Sequence, residues 1–264
     1  MKYYVIENDL DRIKYFDRIG IDRIFVDLEK LGKEERQKDL DTVKSDHSIQ
    51  DIRSIKPILK QAELLVRIDP LNDQSEKQIN EVVHAGADII MLPFFSTSRE
   101  VEKFVAYVDG RAKTNILIET APAFVRFRDI LAVDGIDEVH IGLNDLGIDL
   151  NLKFMFEIIA HRFLVPLTQY LREKEMFFGI GGIAALDKGK LPGRYILAEY
   201  YKLGASGTIL SRTFSKMYAE GKDNFKKEFM KLDSEWEKLS SKNHSFFEDN
   251  IKKINKIVNS IIES

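Results

Sequence analysis

Short apolar runs alternate along the chain with longer stretches in which apolar positions recur every three or four residues. The short runs are typical of strands buried on both faces, and the longer stretches are typical of amphipathic helices. Gly86, Gly110 and Gly204 each lie where a helix should end, just before another run. The eight runs that we interpret as strands are residues 3–7, 23–28, 64–69, 88–93, 115–119, 138–143, 176–181 and 207–211.

Eight strand-then-helix units in one chain predict an α/β fold, a (β/α)8 TIM barrel. A doubly wound sheet is the alternative, but it usually has fewer strands, and no Gly-x-Gly-x-x-Gly motif follows the first run. The strand spacing is uneven, and the long gap between residues 29 and 63 predicts an additional loop and helix.

Residues 222–264 differ from the rest of the chain, because they are rich in Lys, Glu, Asp and Asn. We therefore divide the chain into a catalytic barrel at 1–221 and a C-terminal helical extension at 222–264. The extension either packs under the barrel or docks on a neighbouring subunit, which would make the protein a homo-oligomer. Its apolar side chains at helical spacing are Phe225, Phe229, Leu232, Trp236 and Leu239, then Ile251, Ile254, Ile257 and Ile261.

Composition excludes several functions. The 264 residues are 44% hydrophobic and 31% charged, with a net charge of −3. The absence of a long basic stretch outside the C-terminal extension argues against nucleic acid as a partner. No cysteine is present, which excludes thiolate catalysis and cysteine metal sites. No apolar run approaches the roughly 20 residues that span a bilayer, and the N-terminus lacks a signal-peptide core, so we expect no membrane partner and a cytoplasmic location.

Charged residues follow three of the predicted buried strands. Glu119 and Asp145 end successive runs, and Arg67 lies near the end of an earlier one. Charges are costly where strands are buried on both faces, and barrel chemistry occurs at the carboxyl ends of strands. Glu119 shares alternation parity with Leu117, and Asp145 with Leu143, so each acid can point inward.

Two carboxylates at strand ends are suited to Mg²⁺ or Mn²⁺. The less favoured alternative is that Glu119 and Asp145 are helix N-caps or ion-pair partners. Arg67 either clamps a substrate carboxylate and stabilises an oxyanion, or forms an internal ion pair with Asp27 or Glu29. Glu29 either orients a reacting group or holds a water, or is a scaffold partner of Arg67.

Further anion-binding candidates follow the last two strands. Gly181 and Gly182 lie in a run of glycines where backbone amides can approach an anion, and Arg212 ends the eighth run. The five histidines are weak signals, because none forms a pair at metal-ligand spacing, and His140 is interpreted as a core residue.

At these residues the chain resembles the HpcH/HpaI aldolase and citrate-lyase beta-subunit family. The matching motifs occur in family order over roughly residues 20 to 215. They are Phe25-Val26-Asp27-Leu28-Glu29, Val66-Arg67-Ile68, Gly86-Ala87-Asp88-Ile89-Ile90-Met91-Leu92-Pro93, Ile118-Glu119-Thr120 and Gly142-Leu143-Asn144-Asp145-Leu146.

The resemblance implies a metal-dependent barrel that makes or breaks carbon–carbon bonds through a pyruvate-type or acyl-CoA enolate. It implies that Glu119 and Asp145 bind the metal and that Arg67 binds the enolate or carboxylate. Asn144, next to Asp145, is a further substrate-binding candidate. The chain departs from the family pattern at the position of the general base. The aldolases of this family usually carry a histidine just after strand two, whereas this chain has Glu29-Lys30-Leu31 there and its nearest histidine is His47.

The resulting hypothesis is a Mg²⁺- or Mn²⁺-dependent carbon–carbon lyase, or aldolase, that acts on a 2-keto acid. One alternative is an acyl-CoA lyase or thioesterase for a malyl- or citramalyl-type thioester. The Asp-Leu-Glu sequence at 27–29 resembles the citrate-lyase branch of the family more than the aldolase branch. Another is a non-catalytic barrel that binds a small acid.

Overall fold

In the computed structural model, which describes residues 1–31 and 46–264, eight parallel strands form a closed barrel in sequence order. The predicted fold class is therefore confirmed. The strands are β1 Lys2–Ile6, β2 Arg23–Asp27, β3 Glu63–Arg67, β4 Ile89–Leu92, β5 Lys113–Ile118, β6 Glu138–Ile141, β7 Phe177–Ile183 and β8 Gly207–Leu210.

Helices connect the strands and follow the last one. In the described residues they are α1 Leu10–Arg18, α2 Ile49–Ile55, α3 Ser75–Ala85, α4 Ser98–Val108, α5 Ala121–Val125, α6 Phe127–Ile130, α7 Leu143–Asp149, α8 Glu157–Ala160, α9 Val165–Glu173, α10 Gly193–Leu203, α11 Arg212–Glu220, α12 Lys222–Leu239 and α13 His244–Glu263. A short 3-10 helix, Lys56–Ile58, follows α2. Across the two described ranges, no helix is long and apolar enough to cross a membrane.

The long gap between β2 and β3 contains the additional helix that the sequence predicts. Helix α2 begins after Ser48, where the side chain of Asp51 accepts the backbone N–H of Ser48 at 2.7 Å. This carboxylate satisfies an amide at the start of the helix that has no partner within the helix itself. Residues 32–45 of this gap, on which the predicted loop falls in part, lie outside the described residues.

Side-chain chemistry also fixes the helix ends beside β4. Gly86 ends α3 with a φ of 104°, a left-handed conformation that costs glycine little. Thr97 is the N-cap of α4, where Glu100 accepts its backbone N–H at 2.9 Å. These boundaries confirm the helix end that the sequence predicts near Gly86.

The chain divides into two compact units, residues 4–140 and residues 1–3 with 141–264. In the first unit, a buried guanidinium joins several strands. Arg23 on β2 is fully buried and donates to both oxygens of Glu138 on β6, at 2.7 and 2.6 Å. It also donates to Glu63 at 3.0 Å and to the hydroxyl of Tyr4 at 3.2 Å.

The second unit contains the C-terminal helices. The ring of Phe229 on α12 lies 5.2 Å from that of Tyr3, and Ile254 and Val258 on α13 are fully buried. Asn250 donates to the buried Glu199 of α10 at 2.8 Å. Most of the apolar side chains of the extension are thus buried within the chain itself, whereas Trp236, Ile257 and Ile261 are half-buried.

We expect Arg23→Met to lower the free energy of unfolding by about 3–5 kcal/mol, because the buried carboxylate of Glu138 would lose its partner. Arg23→Met/Glu138→Met should recover most of this loss, since a matched apolar pair removes both charges. Lys14→Met breaks an exposed pair with Asp11 and should cost less than about 1 kcal/mol. Urea unfolding measures all three; equal losses for Arg23→Met and Lys14→Met would contradict the expectation.

The C-terminal extension should be necessary for folding. Cutting the chain near Tyr218 exposes Phe214, whose ring lies 5.6 Å from that of Phe225, and removes the cover of Tyr3. Each buried aromatic contributes about 1.5–3 kcal/mol, so we expect the truncated chain to lose its cooperative thermal transition in circular dichroism. A truncated chain with the parent's thermal midpoint would contradict the structural role of the extension.

The homo-oligomer stays a prediction, and light scattering on the full-length protein measures its subunit count.

Candidate active site

Strands β2 and β3 bring opposite charges together at their carboxyl ends. Asp27 and Arg67 are the last residues of these strands and face each other in the register. Arg67 donates from Nε to Oδ1 of Asp27 and from Nη2 to Oδ2, both at 2.9 Å. This bidentate ion pair is the geometry in which a guanidinium and a carboxylate bind most specifically.

Glu29 extends the same network. Its Oε2 atom lies 3.2 Å from Nη2 of Arg67, and its backbone N–H donates to Oδ1 of Asp27 at 3.2 Å. The ion pair that the sequence analysis gave as one alternative for Arg67 and Glu29 is therefore present. The edge of the guanidinium formed by Nε and Nη2 is bonded to Asp27, and within the described residues Nη1 donates no hydrogen bond.

Burial and the surrounding carboxylates act in opposite directions on Arg67. Burial alone would lower its pKa, but the nearby charges of Asp27, Glu29 and Glu119 raise the pKa well above the ordinary value. The three acids are themselves buried, with exposures of 3% for Asp27, 4% for Glu29 and 1% for Glu119. Arg67, whose side chain is 15% exposed, is consequently a permanent cation held among buried carboxylates, where water screens its field only in part.

Glu119 directly follows β5 and is held by a strained turn after β4. Its Oε1 atom accepts the backbone N–H of Phe94 at 3.2 Å. Phe94 has a φ of 49°, a left-handed conformation that is unfavourable for a bulky residue and concentrates at functional sites. Thr120 anchors the next position, since its hydroxyl donates to the carbonyl of Phe95 at 2.9 Å. The backbone therefore fixes the direction of the Glu119 carboxylate.

Asp69, which the sequence reasoning missed, supports the loop after β2. Its Oδ1 atom accepts the backbone N–H groups of Lys30 at 2.7 Å and Leu31 at 2.9 Å. Gln78 on α3 donates to Oδ2 of Asp69 at 2.9 Å and accepts its backbone N–H. The available signal was a Glu-Lys-Leu segment after one predicted strand and an Asp-Pro pair after the next, but sequence spacing does not show that the two segments meet.

Asp145 occupies a different kind of position from the one its parity predicts. Strand β6 ends at Ile141, and α7 begins at Leu143, so Asp145 lies in the first turn of a helix. The alternation argument with Leu143 is wrong, because residues two apart share a face in a strand and not in a helix. Asp145 is half-buried and Asn144 is exposed. An acid in the first turn is also favoured by the helix dipole.

The predicted glycine site has a packing explanation. Gly181 interrupts the regular register of β7 and β8 with a φ of 41°. A Cβ atom there would lie 2.9 Å from the Tyr200 hydroxyl and 3.0 Å from Leu143, so only glycine fits. Gly182 has no such restriction, since its nearest neighbour would be an ordinary contact at 3.5 Å. Arg212 is the exposed first residue of α11.

The first unit thus brings together Arg67, Glu29 and Glu119, and adds Asp27. Asn144, Asp145, Gly181, Gly182 and Arg212 belong to the second unit. In residues 1–31 and 46–264, no group of three or more His, Asp or Glu side chains is arranged to hold a metal ion. The oxygen donors nevertheless suit a hard cation, and the amide bond to Glu119 is the outer support that metal-binding carboxylates usually have.

A closed eight-stranded barrel with charged side chains at the ends of its strands has the architecture of a (β/α)8-barrel enzyme. The HpcH/HpaI aldolase/citrate lyase family model matches residues 2–156. The chain belongs to this family, as its sequence motifs indicated, and family membership supports a lyase-type function. No curated protein sequence matched the chain.

Solved structures share the fold at low sequence identity. An HpcH/HpaI aldolase from Desulfitobacterium hafniense DCB-2 has a TM-score of 0.64 and 16% identity, covering 85% of this chain and 92% of that one. A family protein from Burkholderia cenocepacia J2315 has a TM-score of 0.63 and 14% identity, covering 83% and 91%. Citrate synthase SbnG has a TM-score of 0.61 and 15% identity, covering 88% and 94%. Identities this low show a common fold and nothing about substrate.

Proposed function

We propose that the protein is a divalent-metal-dependent carbon–carbon lyase that acts on a 2-keto acid through a pyruvate-type enolate. The observation that carries this proposal is the fixed cation of Arg67 at the carboxyl end of β3, held by Asp27 and Glu29. A carbon–carbon cleavage of this type develops negative charge on the keto oxygen. A preorganised guanidinium stabilises such charge without reorganising during the reaction.

The orientation of Arg67 specifies which atom serves the substrate. Since Asp27 occupies Nε and Nη2, Nη1 is the donor that we expect to face a substrate carboxylate or enolate oxygen. This is a single directed contact in place of the clamp on a substrate carboxylate that was one sequence-based alternative for Arg67. Asp27 and Glu29 hold the guanidinium plane, so that Nη1 keeps one direction while charge develops.

In this proposal Glu119 and Asp145 supply the carboxylates for Mg²⁺ or Mn²⁺. The support for Glu119 is its burial and its fixed carboxylate; the support for Asp145 is its place after β6 in the family motif. Such a cation supplies Lewis acidity toward the keto oxygen. Gly181, Gly182, Asn144 and Arg212 remain proposed substrate contacts.

The substrate class is open to direct measurement. With Mg²⁺ or Mn²⁺, we expect the purified protein to release pyruvate from a 4-hydroxy-2-keto acid and to decarboxylate oxaloacetate. Turnover of a malyl- or citramalyl-CoA ester alone would assign the acyl-CoA alternative. Thermal stabilisation by pyruvate without turnover of either substrate class would assign a small-acid-binding barrel and overturn the lyase proposal.

Removing the charge of Glu119 should abolish most of the affinity for a divalent cation. Glu119→Gln and Asp145→Asn each leave the cation with one carboxylate, so calorimetric titration with Mn²⁺ should show at least a tenfold weaker Kd, on the order of 1.4 kcal/mol. Glu102→Gln, an exposed acid on α4, is the matched control. If both site variants bind Mn²⁺ as the parent does, the cation binds elsewhere.

Arg67→Lys should not behave as a conservative change. An ammonium keeps the charge but cannot make two parallel bonds to Asp27 while contacting Glu29. The loss of such a contact costs about 2–4 kcal/mol in other oxyanion sites, so we expect kcat to fall roughly a hundredfold or more. Arg99→Lys on the exposed face of α4 should retain the parent rate. Unchanged kcat in Arg67→Lys would remove Arg67 from the mechanism.

A further inference from the structure

The imidazole of His47 lies against the carboxyl end of β2. Its Nδ1 atom accepts the backbone N–H of Asp27, with 2.9 Å between the two nitrogens. His47 is 5% exposed and lies 20 residues after Asp27, just before α2. A buried imidazole therefore contacts the backbone of the residue that holds Arg67.

The sheet geometry explains why an acceptor is needed at this place. The N–H of Leu28 donates to the carbonyl of Arg67 on β3 at 2.9 Å. Because successive amides of a strand point to opposite edges, the N–H of Asp27 points toward β1. The register between β1 and β2 ends with the pair Ile6 and Phe25, so Asp27 lies beyond it. A buried amide requires an acceptor, and His47 provides one.

This hydrogen bond also defines the protonation of the ring. An acceptor at Nδ1 requires a free lone pair there, so the proton of the neutral imidazole is on Nε2. The doubly protonated ring has N–H groups at both nitrogens and cannot accept. Only the neutral Nε2–H form therefore supports the backbone at Asp27.

We propose that His47 is a positioning residue for the candidate active site. By accepting the amide of Asp27, it fixes the carboxylate that binds Nε and Nη2 of Arg67. The effect of His47 reaches the substrate only through Asp27 and Arg67. Its consequence for catalysis rests on the function proposed above, whereas its consequence for the position of Arg67 does not.

Two substitutions of His47 distinguish the effect of its hydrogen-bond acceptor from the effect of its side-chain volume. In His47→Asn the side-chain oxygen can occupy the place of Nδ1 and accept the same N–H. In His47→Leu a side chain of comparable bulk fills the space without an acceptor. His84→Leu is the control, because His84 is an exposed residue of α3 whose Nδ1 lies 2.6 Å from the carbonyl of Asn80 on its own helix.

The first readout is the Arg67 Nε–H signal in a ¹⁵N-labelled protein, identified by its loss in Arg67→Lys. We expect this proton to exchange with water about tenfold faster or more in His47→Leu, and within about threefold of the parent rate in His47→Asn and His84→Leu. An unchanged exchange rate in His47→Leu overturns the positioning role. Equal acceleration in His47→Asn and His47→Leu also overturns it, because the acceptor would then not matter.

The second readout is steady-state kinetics, with the folded fraction of each variant measured by circular dichroism. We expect kcat per folded protein to fall about tenfold to a hundredfold in His47→Leu, and to be restored within about threefold in His47→Asn. A residue that serves only stability would lower the folded fraction and leave this kcat unchanged, which would overturn the catalytic consequence. A parent protein without lyase activity would overturn the proposed function, and the exchange measurement would still decide the position of Arg67.

Discussion

The bidentate ion pair between Asp27 and Arg67 is the interaction on which the candidate site depends. It joins the last residues of two adjacent strands, at a depth where an isolated charge would be costly. Glu29 and Glu119 add negative charge around the same guanidinium. Because strand ends in a barrel are held by the sheet, the pair has little freedom to rearrange, and the remaining nitrogen of Arg67 keeps a fixed direction.

Three segments that are distant in sequence support the residues of the candidate site around this pair. His47 accepts the backbone N–H of Asp27, Asp69 accepts two amides of the loop after Glu29, and Phe94 donates its amide to Glu119. Each of these bonds satisfies a backbone or carboxylate group at a strand end. A site whose supports are this numerous is preorganised, which is the condition for a charge to stabilise a reacting oxygen effectively.

Two buried ionic networks in the first unit contrast in their consequences. Arg23 is fully enclosed by Glu138, Glu63 and Tyr4, so we assign it to the stability of the barrel. Arg67 is also surrounded by acids, yet one of its nitrogens donates to none of the described residues. The same residue type therefore serves structure at the start of β2 and, in our proposal, chemistry at the end of β3.

The sequence by itself determined the barrel, its family, and the placing of Arg67, Glu29 and Glu119 at strand ends, because alternating apolar runs and short motifs are local features of the chain. Only the tertiary structure decided that Asp27 holds Arg67, that His47 supports the end of β2 and Asp69 the loop after it, and that Asp145 lies in the first turn of a helix. These depend on which distant segments meet and on where a strand stops, within a residue or two. The apolar stripe of the C-terminal extension also needed the tertiary structure. Its periodicity predicts a buried helix face but does not show which surface covers that face.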